Sequence, residues 1–599
     1  MIKFGLLGLL GSMVVLLALT LPNDPPTLRR GPVPASQKVA HSSHCAGCHG
    51  YDESKMALVD QNGHDVNIFD DWQISMMGMS AYDPFWRATL AHETHIFPNA
   101  KAGIETTCLK CHAPLGSIER NLHQLPYSYN DMLSDTLGLD GVSCSSCHQQ
   151  PAKDLGKGQS GNFSIDTNRV LFGHLPNPFK GPMQIYVGFE PQFSDHIYDS
   201  GVCAGCHTLI TETLDDQGQP TGNHFVEQAT YHEWLNSSYP QQGRECQSCH
   251  LPFIQGDVVI ATDFIALEGR QPFGLHQFYG ANTAMLSLMH DYKDTLGLPK
   301  ASADSAWNES IRLNRVSLKN AATITMDSPF VANDTLYLHL TIKNKAGHKL
   351  PSGYPSRVAW LQVVLIREGL NDTLYANGLM DQSGHITGRD LPFEPHHEIC
   401  KSAGDVQIYE LAMRDQQGQL TTRLNAAYQP LKDNRILPLG FTKTNPVYDT
   451  TAIWGNALMD PDYDANSSAG QDHIEYHIAL NGSKGYGQLS VALHYQTLPA
   501  RWMHDIFTND TVPQVGLFKP MYQDYARFDE IIDQLQLDDI DLNSSGLSEV
   551  KPQISFNLMP NPVDDGMIYI RMSPGPNTSD LVYKLINAEG QTVQQGRLE

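Results

Sequence analysis

The chain has 599 residues, 41% of them hydrophobic and 18% charged, a composition that suits a globular protein of about three or four structural units and excludes wholesale disorder. Asp and Glu number 65 against 40 Lys and Arg, and the net charge of −25 repels nucleic acid and anionic membrane alike. A nucleic-acid partner is not expected.

The opening stretch, MIKFGLLGLLGSMVVLLALTLPNDPP, carries one charge at Lys3, an apolar run from Phe4 to Leu21, then Pro and Asp. That is the pattern of a secretory signal peptide, here 1–22, with a linker over 23–40. The run is also long enough to span a bilayer, so an uncleaved anchor is a second reading. No other apolar run of that length follows, so the remainder is expected to be soluble and outside the cytoplasm. Export permits disulfides and disfavours a cytosolic thiol-redox role.

Ten of the eleven cysteines then fall into five C-x-x-C pairs, each followed directly by histidine. They are CAGCH (Cys45, Cys48, His49), CLKCH (Cys108, Cys111, His112), CSSCH (Cys144, Cys147, His148), CAGCH again (Cys203, Cys206, His207) and CQSCH (Cys246, Cys249, His250). Composition alone would yield roughly 0.01 such pentapeptides. A lone C-x-x-C admits a redox pair, half a zinc site or a c-type haem attachment. Zinc sites need a second half or a distant histidine pair, and none requires histidine beside every second cysteine. A disulfide framework has no reason for uniform spacing. Covalent haem accounts for all three positions: two thioethers to the porphyrin, and an adjacent histidine aimed at the iron. Five covalently attached haem c groups are therefore expected over 41–300. Between His41 and His250 there is too little chain for a separate apolar core around each haem. The haems themselves must form much of the core, in a mostly α and irregular domain with short helices near 68–92 and 226–238.

Function then turns on the sixth ligand of each iron. Two protein ligands make an electron carrier, whereas an open position can bind a small molecule. His41 and His44 precede the first motif, and His92 and His95 lie three apart on an expected helix. Better placed are His196 in FSDHIYDSGVCAGC, His276 in PFGLHQFYGAN and His348 in KNKAGHKLPSGYPSR, where Gly347 and Pro351 suggest a rigid turn. Each could equally be an ordinary surface or core histidine. The stretch WQISMMGMSA, 72–81, reads first as a core-facing helix filled with methionine; an axial thioether is the other reading.

From about residue 315 the pattern alternates with period two: TLYLHLTIKN at 335–344, RVAWLQVVLI at 357–366, DVQIYELAMR at 405–414 and LSVALHYQTL at 489–498. An antiparallel β-sandwich over 301–515 is expected, with no triad, phosphate loop or paired-carboxylate motif inside it. Its residues alone suggest a structural or docking role. Cys400 reads as a buried structural thiol. A helix-like stretch at 520–537 and an acidic linker, together 516–552, precede a small β-like tail over 553–599.

The chain from about 41 to 520 resembles a family of exported multihaem (pentahaem) cytochromes c in which the haem domain precedes a β-sandwich. The matching stretches include WQISMMGMSAYDPFWRA, ETTCLKCHAP, DGVSCSSCHQ, SDHIYDSGVCAGCHTL, EQATYHEWLNSSYPQQGRECQSCHLP, HQFYGAN, GHKLPSGYPSR and DVQIYELAMRDQQGQLT with LKDNRILPLGF. The resemblance implies that Met77, His196, His276, His348 and His396 (in EPHHEI) are the sixth ligands, reversing the filler reading of Met77. It also implies that sandwich loops supply His348 and His396 to the haems. The tail NLMPNPVDDGMIYIRM…LVYKLINAEGQTV resembles the C-terminal sorting domain of type IX secretion cargo. That implies export to the cell surface or medium, although the sequence stops at GRLE before the strands that normally finish the domain; without a working sorting domain the expected location is periplasmic. The expected function is electron relay to a redox partner protein or an extracellular acceptor. The alternative is a multihaem oxidoreductase acting on a small nitrogen or sulfur compound at one haem with an open distal site.

Overall fold

A computed structural model of the chain describes residues 32–263, 267–298, 303–370, 372–388, 393–464, 469–525 and 529–543, and four strands beyond them. The expected signal peptide lies outside the described residues, as does the first half of its linker, 23–31. Of the expected sorting domain, Phe556–Leu558 pairs with Ile570–Met572 and Val582–Ile586 with Thr592–Arg597. No helix among the described residues is long and apolar enough to cross a membrane.

The first half is built from short helices, turns and small two-stranded units, as expected where the sequence lacks long amphipathic stretches. Pro84–Ile96 and Lys101–His112 are its long helices. The first starts where it does because Asp83 accepts from the Phe85 and Trp86 amides and Pro84 follows, a favourable opening for a helix. The expected helix near 68–92 is in fact two, Ile68–Gln73 and Pro84–Ile96, separated by turns through the methionine-rich stretch. Gly141 explains why that stretch folds back. A Cβ there would lie 2.5 Å from the Gly78 carbonyl oxygen and 2.9 Å from that of Met77, and its φ is +62°, so only glycine lets the two segments touch. The second expected helix, near 226–238, is the strand Pro220–Gln228 followed by the helix Thr230–Leu235.

In the second half two five-stranded sheets share one core. One is ordered Asp372–Asn377, Val358–Arg367, Tyr486–Gln496, Asp529–Asp541, with Ile408–Tyr409 also on Val358–Arg367; the other is ordered Ile399–Cys400, Gln471–Ala479, Thr335–Asn344, Ala322–Met326, with Phe330–Ala332 also on Thr335–Asn344. Leu336, Leu338, Leu340 and Ile342 from one sheet meet Leu361, Val363, Leu489 and Val491 from the other, the period-two burial that alternation in the sequence anticipates. The expected strand at 405–414 is broken: Ile408–Tyr409 joins the first sheet, while Leu411–Arg414 belongs to a separate three-stranded sheet.

One expectation is corrected at the end of this region. The helix-like reading of 520–537 holds for its beginning, inside the helix Pro513–Asp524, but Asp529–Asp541 is a strand paired along Tyr486–Gln496. In EIIDQLQLDDI the apolar residues alternate, and Ile532, Leu535, Leu537 and Ile540 add to the sandwich core. Sheet pairing outweighs the helical propensity of its Glu, Gln and Leu.

The halves interlock. Phe85 and Ala88 on Pro84–Ile96 share a core with Trp502, Phe518 and Met521. The buried Glu93 carboxylate accepts from the Leu424 amide at 2.7 Å and the Asn425 side chain at 2.9 Å. Lys349, fully buried, pairs with Asp433 at 2.7 Å, and Arg435 joins Asp433 to Glu233. Removing Arg435 would leave the buried Glu233 carboxylate without its ion-pair partner, at a cost of about 3–5 kcal/mol.

Candidate functional site

Each C-x-x-C-H closes a helix at its histidine: Ser43–His49, Lys101–His112, Cys144–His148, Gly201–His207 and Gln247–His250. Positions three apart share a helix face, so the two thiols of a motif project together. All ten motif cysteines are free of disulfides. They and the five motif histidines line a single cavity of about 2140 Å³, well above the roughly 300–1,000 Å³ of a pocket for one small ligand. Thiols of different motifs are neighbours within it: Cys144 with Cys45, Cys206 with Cys111, Cys203 with Cys246.

Four of the five motif histidine rings are held through Nδ1. Nδ1 donates to a backbone carbonyl in His49 (Ile260, 2.8 Å), His112 (Ser80, 3.2 Å), His148 (Phe172, 2.7 Å) and His250 (Tyr279). That hydrogen bond selects the tautomer whose Nε2 carries a lone pair. Burial keeps the rings neutral, lowering His112 and His207 to about 4 and moving His49, His148 and His250 in the same direction.

Two of the expected sixth ligands share this arrangement. His276 Nδ1 donates to Gly274 O at 2.9 Å and His348 Nδ1 to Lys349 O at 2.8 Å, and both line the cavity. The rings of His276 and His148 are nearly parallel, 15° apart, with centroids separated by 6.3 Å. His348 lies close enough to both His207 and His250 to lower them. Met77 also lines the cavity, its carbonyl accepting from Val142 N at the entry to the third motif.

The other two expected ligands are not brought to the cavity in the same way. His196 has both nitrogens engaged, Nε2 with Gln150 O at 2.7 Å and Nδ1 with Ser194 Oγ at 2.6 Å. His396 is buried inside the sandwich half, away from the cavity lining. Its Nδ1 accepts from Gln407 Nε2 at 2.9 Å and Asn434 Nδ2 at 3.1 Å, while Nε2–H donates to Asp460 at 2.7 Å. The two amides are oriented by the His397 and Glu410 N–H groups that their oxygens accept. His396 therefore has no lone pair for iron, nor for a cation among His396, Asp460 and Asp472, which lie within 4.8 Å of one another. Of the lesser candidates, His44 lines the cavity, whereas His41 is tied to Ser43 and Asp140 and His92 is buried against Asn509 and Asp505.

Sequence reasoning missed a polar group of residues beside the second motif. Glu93, Glu227, Thr89 and Tyr354 line the cavity there, with Cys108 and Cys111. Glu227 is 4% exposed, and burial, reinforced by Glu93, raises it to about 8. The Tyr354 hydroxyl is buried against Thr89, and its ring packs on Phe85 and Trp502. Thr89, beside it, donates its own hydroxyl proton to the Phe85 carbonyl at 2.9 Å. These residues come from a helix, a hairpin and a sandwich loop, so no local pattern joins them. Nearby, Trp86 stacks on His112 at 4.3 Å and 7°.

No protein-family model matches the chain, and no curated protein does. Among solved structures it is similar to a penta-heme cytochrome c552 from Thermochromatium tepidum, at 15% sequence identity and a TM-score of 0.47, over 84% of this chain and 100% of that one. Nothing about this chain's ligands follows from a likeness at that level.

Proposed function

We propose that the chain is an exported multihaem c-type cytochrome that relays electrons through five covalently attached haems. The observation that carries this is the convergence of all five motifs on one cavity, with ten free thiols and five buried histidines in its wall, four of them donating through Nδ1 and so keeping Nε2 for a metal. His49, His112, His148, His207 and His250 would be the proximal ligands, and Met77, His276 and His348 sixth ligands. A haem iron between two such ligands supplies one-electron exchange between ferric and ferrous states. What the chain's own residues do is aim Nε2, exclude water and hold the groups close, since the motifs touch thiol to thiol.

The export signal and the tail's resemblance to a type IX sorting domain support delivery to the cell surface or medium. The partner would be a redox protein or an extracellular acceptor, and the secretion machinery would recognise the tail. The test is a pyridine haemochrome assay on the mature protein. Five haems per chain are expected; a clearly lower count overturns the reading.

A further inference from the structure

We infer that Arg357 pairs with a propionate of the haem attached at the fourth motif and so raises the potential at which that haem takes an electron. This rests on the haem reading and adds to it a residue that governs one haem of the relay.

Arg357 is a half-buried guanidinium without an anion. The chain has 65 Asp and Glu, yet among the described residues no carboxylate forms an ion pair with it. Its Nη1 donates to the Ser352 carbonyl at 2.8 Å and its Nη2 to Asn282 Oδ1 at 3.4 Å, a long bond, while Nε is buried with no partner. In Arg312, Arg315 and Arg435 that same Nε–Nη2 edge holds both oxygens of one carboxylate, at 2.7–2.8 Å. The edge left open on Arg357 is therefore shaped for a carboxylate, the group that a guanidinium fork grips best. Asp83 senses the charge of Arg357, but its Oδ1 is committed to the Phe85 and Trp86 amides.

Position names the source of that carboxylate. Of the arginines with a buried, unpartnered nitrogen, Arg357 is the one that lines the cavity, among the described residues. The turn before it is held against the fourth motif. Gln228 Nε2 donates to the Cys206 carbonyl at 3.4 Å, and Oε1 of the same side chain lies 3.9 Å from where a Cβ on Gly353 would stand. Gly353 has a φ of +85°, and a Cβ there would collide with Arg357 Nη1, so glycine is what lets the guanidinium lie back over the turn. The charge of Arg357 is felt at His207. Attachment through two thioethers leaves both propionates of a haem free, and these are the carboxylates it brings to the cavity. A ferric haem carries one more positive charge than a ferrous one, so a fixed cation beside it favours the ferrous state. Arg357 thus biases electrons toward the fourth motif, whose thiols adjoin those of the second and fifth.

The test is a spectropotentiometric titration of the haem-loaded full chain, with a haem count on each variant. Arg357→Gln should keep five haems and lower one midpoint. The reduced-to-oxidised ratio of that haem at a fixed potential should fall about tenfold, which is about 59 mV for one electron, while the other four midpoints stay. The displaced midpoint should be the one missing from a variant with Cys203→Ala and Cys206→Ala. Arg357→Lys keeps the charge and should restore most of the shift. Five unmoved midpoints in Arg357→Gln overturn this inference and leave the relay standing. Displacement of a haem at another motif overturns it as well, as does a shift in Arg357→Lys equal to that in Arg357→Gln, which would make packing rather than charge the cause. Fewer than five haems in the parent overturns the relay reading instead. Should Arg357→Gln load fewer than five haems, Arg357→Lys decides alone: five haems with the parent's midpoints support the pairing, and loss of the same haem overturns it.

Discussion

His276 stands among aromatics in PFGLHQFYGAN and His396 in the charged stretch EPHHEI, and their rings end in opposite states. His276 donates through Nδ1 and keeps Nε2 free; His396 accepts at Nδ1 from two fixed amides and donates through Nε2 to Asp460. Replacing His276 by Ala should convert one haem of the loaded protein from low to high spin, read by paramagnetic resonance. Replacing His396 by Gln should leave every haem signal unchanged and cost about 1–3 kcal/mol in a denaturant titration, the penalty of a disrupted buried network. A changed haem spectrum in the second variant would return His396 to the ligands. Glu227 makes a pH prediction. Its pKa is raised from 4.5 to about 8 by burial, then Glu93, so the folded state holds a proton that the unfolded state has released. Stability from this group is lost as pH rises from about 4.5 through about 8. Glu227→Gln should therefore be more stable than the parent at pH 9, by a few kcal/mol at most, and little different at pH 4. The five C-x-x-C-H motifs were legible because each is a local pattern of adjacent residues. Ring tautomers and the Glu227–Tyr354 pair were not, because their partners lie in distant segments.

At the scale of elements, strands with strict alternation were read closely: 335–344 matches Thr335–Asn344, and 489–498 overlaps Tyr486–Gln496. Misreadings fell where the partner decided the outcome. Residues 529–541 are acidic and Gln-rich like an exposed helix, but the edge of Tyr486–Gln496 offers hydrogen bonds along their whole length. The methionine stretch turns where Gly78 lies against the Trp72 carbonyl and Gly141 against that of Gly78, contacts that no periodicity reports. If Asp529–Asp541 is integral to the sheet, Ile532→Ala should cost about 2–5 kcal/mol, since Ile532 is 3% exposed within the sandwich core. A midpoint shift typical of a surface site in denaturant titration would instead mean that the strand adds little.

For the whole molecule, the order in which the motifs touch matters more than their number. Cys203 and Cys206 of the fourth motif neighbour Cys246 of the fifth and Cys111 of the second, and both also feel Cys147 of the third. The third in turn reaches the first through Cys144 and Cys45. The fourth motif is thus a junction with three arms, and the first motif an end. Under the relay reading, removing the junction and removing the end have different consequences although each removes one haem. Cys203→Ala with Cys206→Ala should leave four haems per chain but isolate the second and fifth motifs from the pair formed by the first and third. After pulsed reduction, electrons should then equilibrate in two phases, one much slower than in the parent. Cys45→Ala with Cys48→Ala should also leave four haems, yet keep equilibration in a single fast phase. The sequence numbering suggests a linear order from first to fifth, which predicts the same slow phase on loss of any interior motif. Loss of the second motif distinguishes the two orders, because an arm can be removed from a junction without separating the rest. A single fast phase in the variant lacking Cys108 and Cys111 supports the branched arrangement, and a slow one supports the linear one.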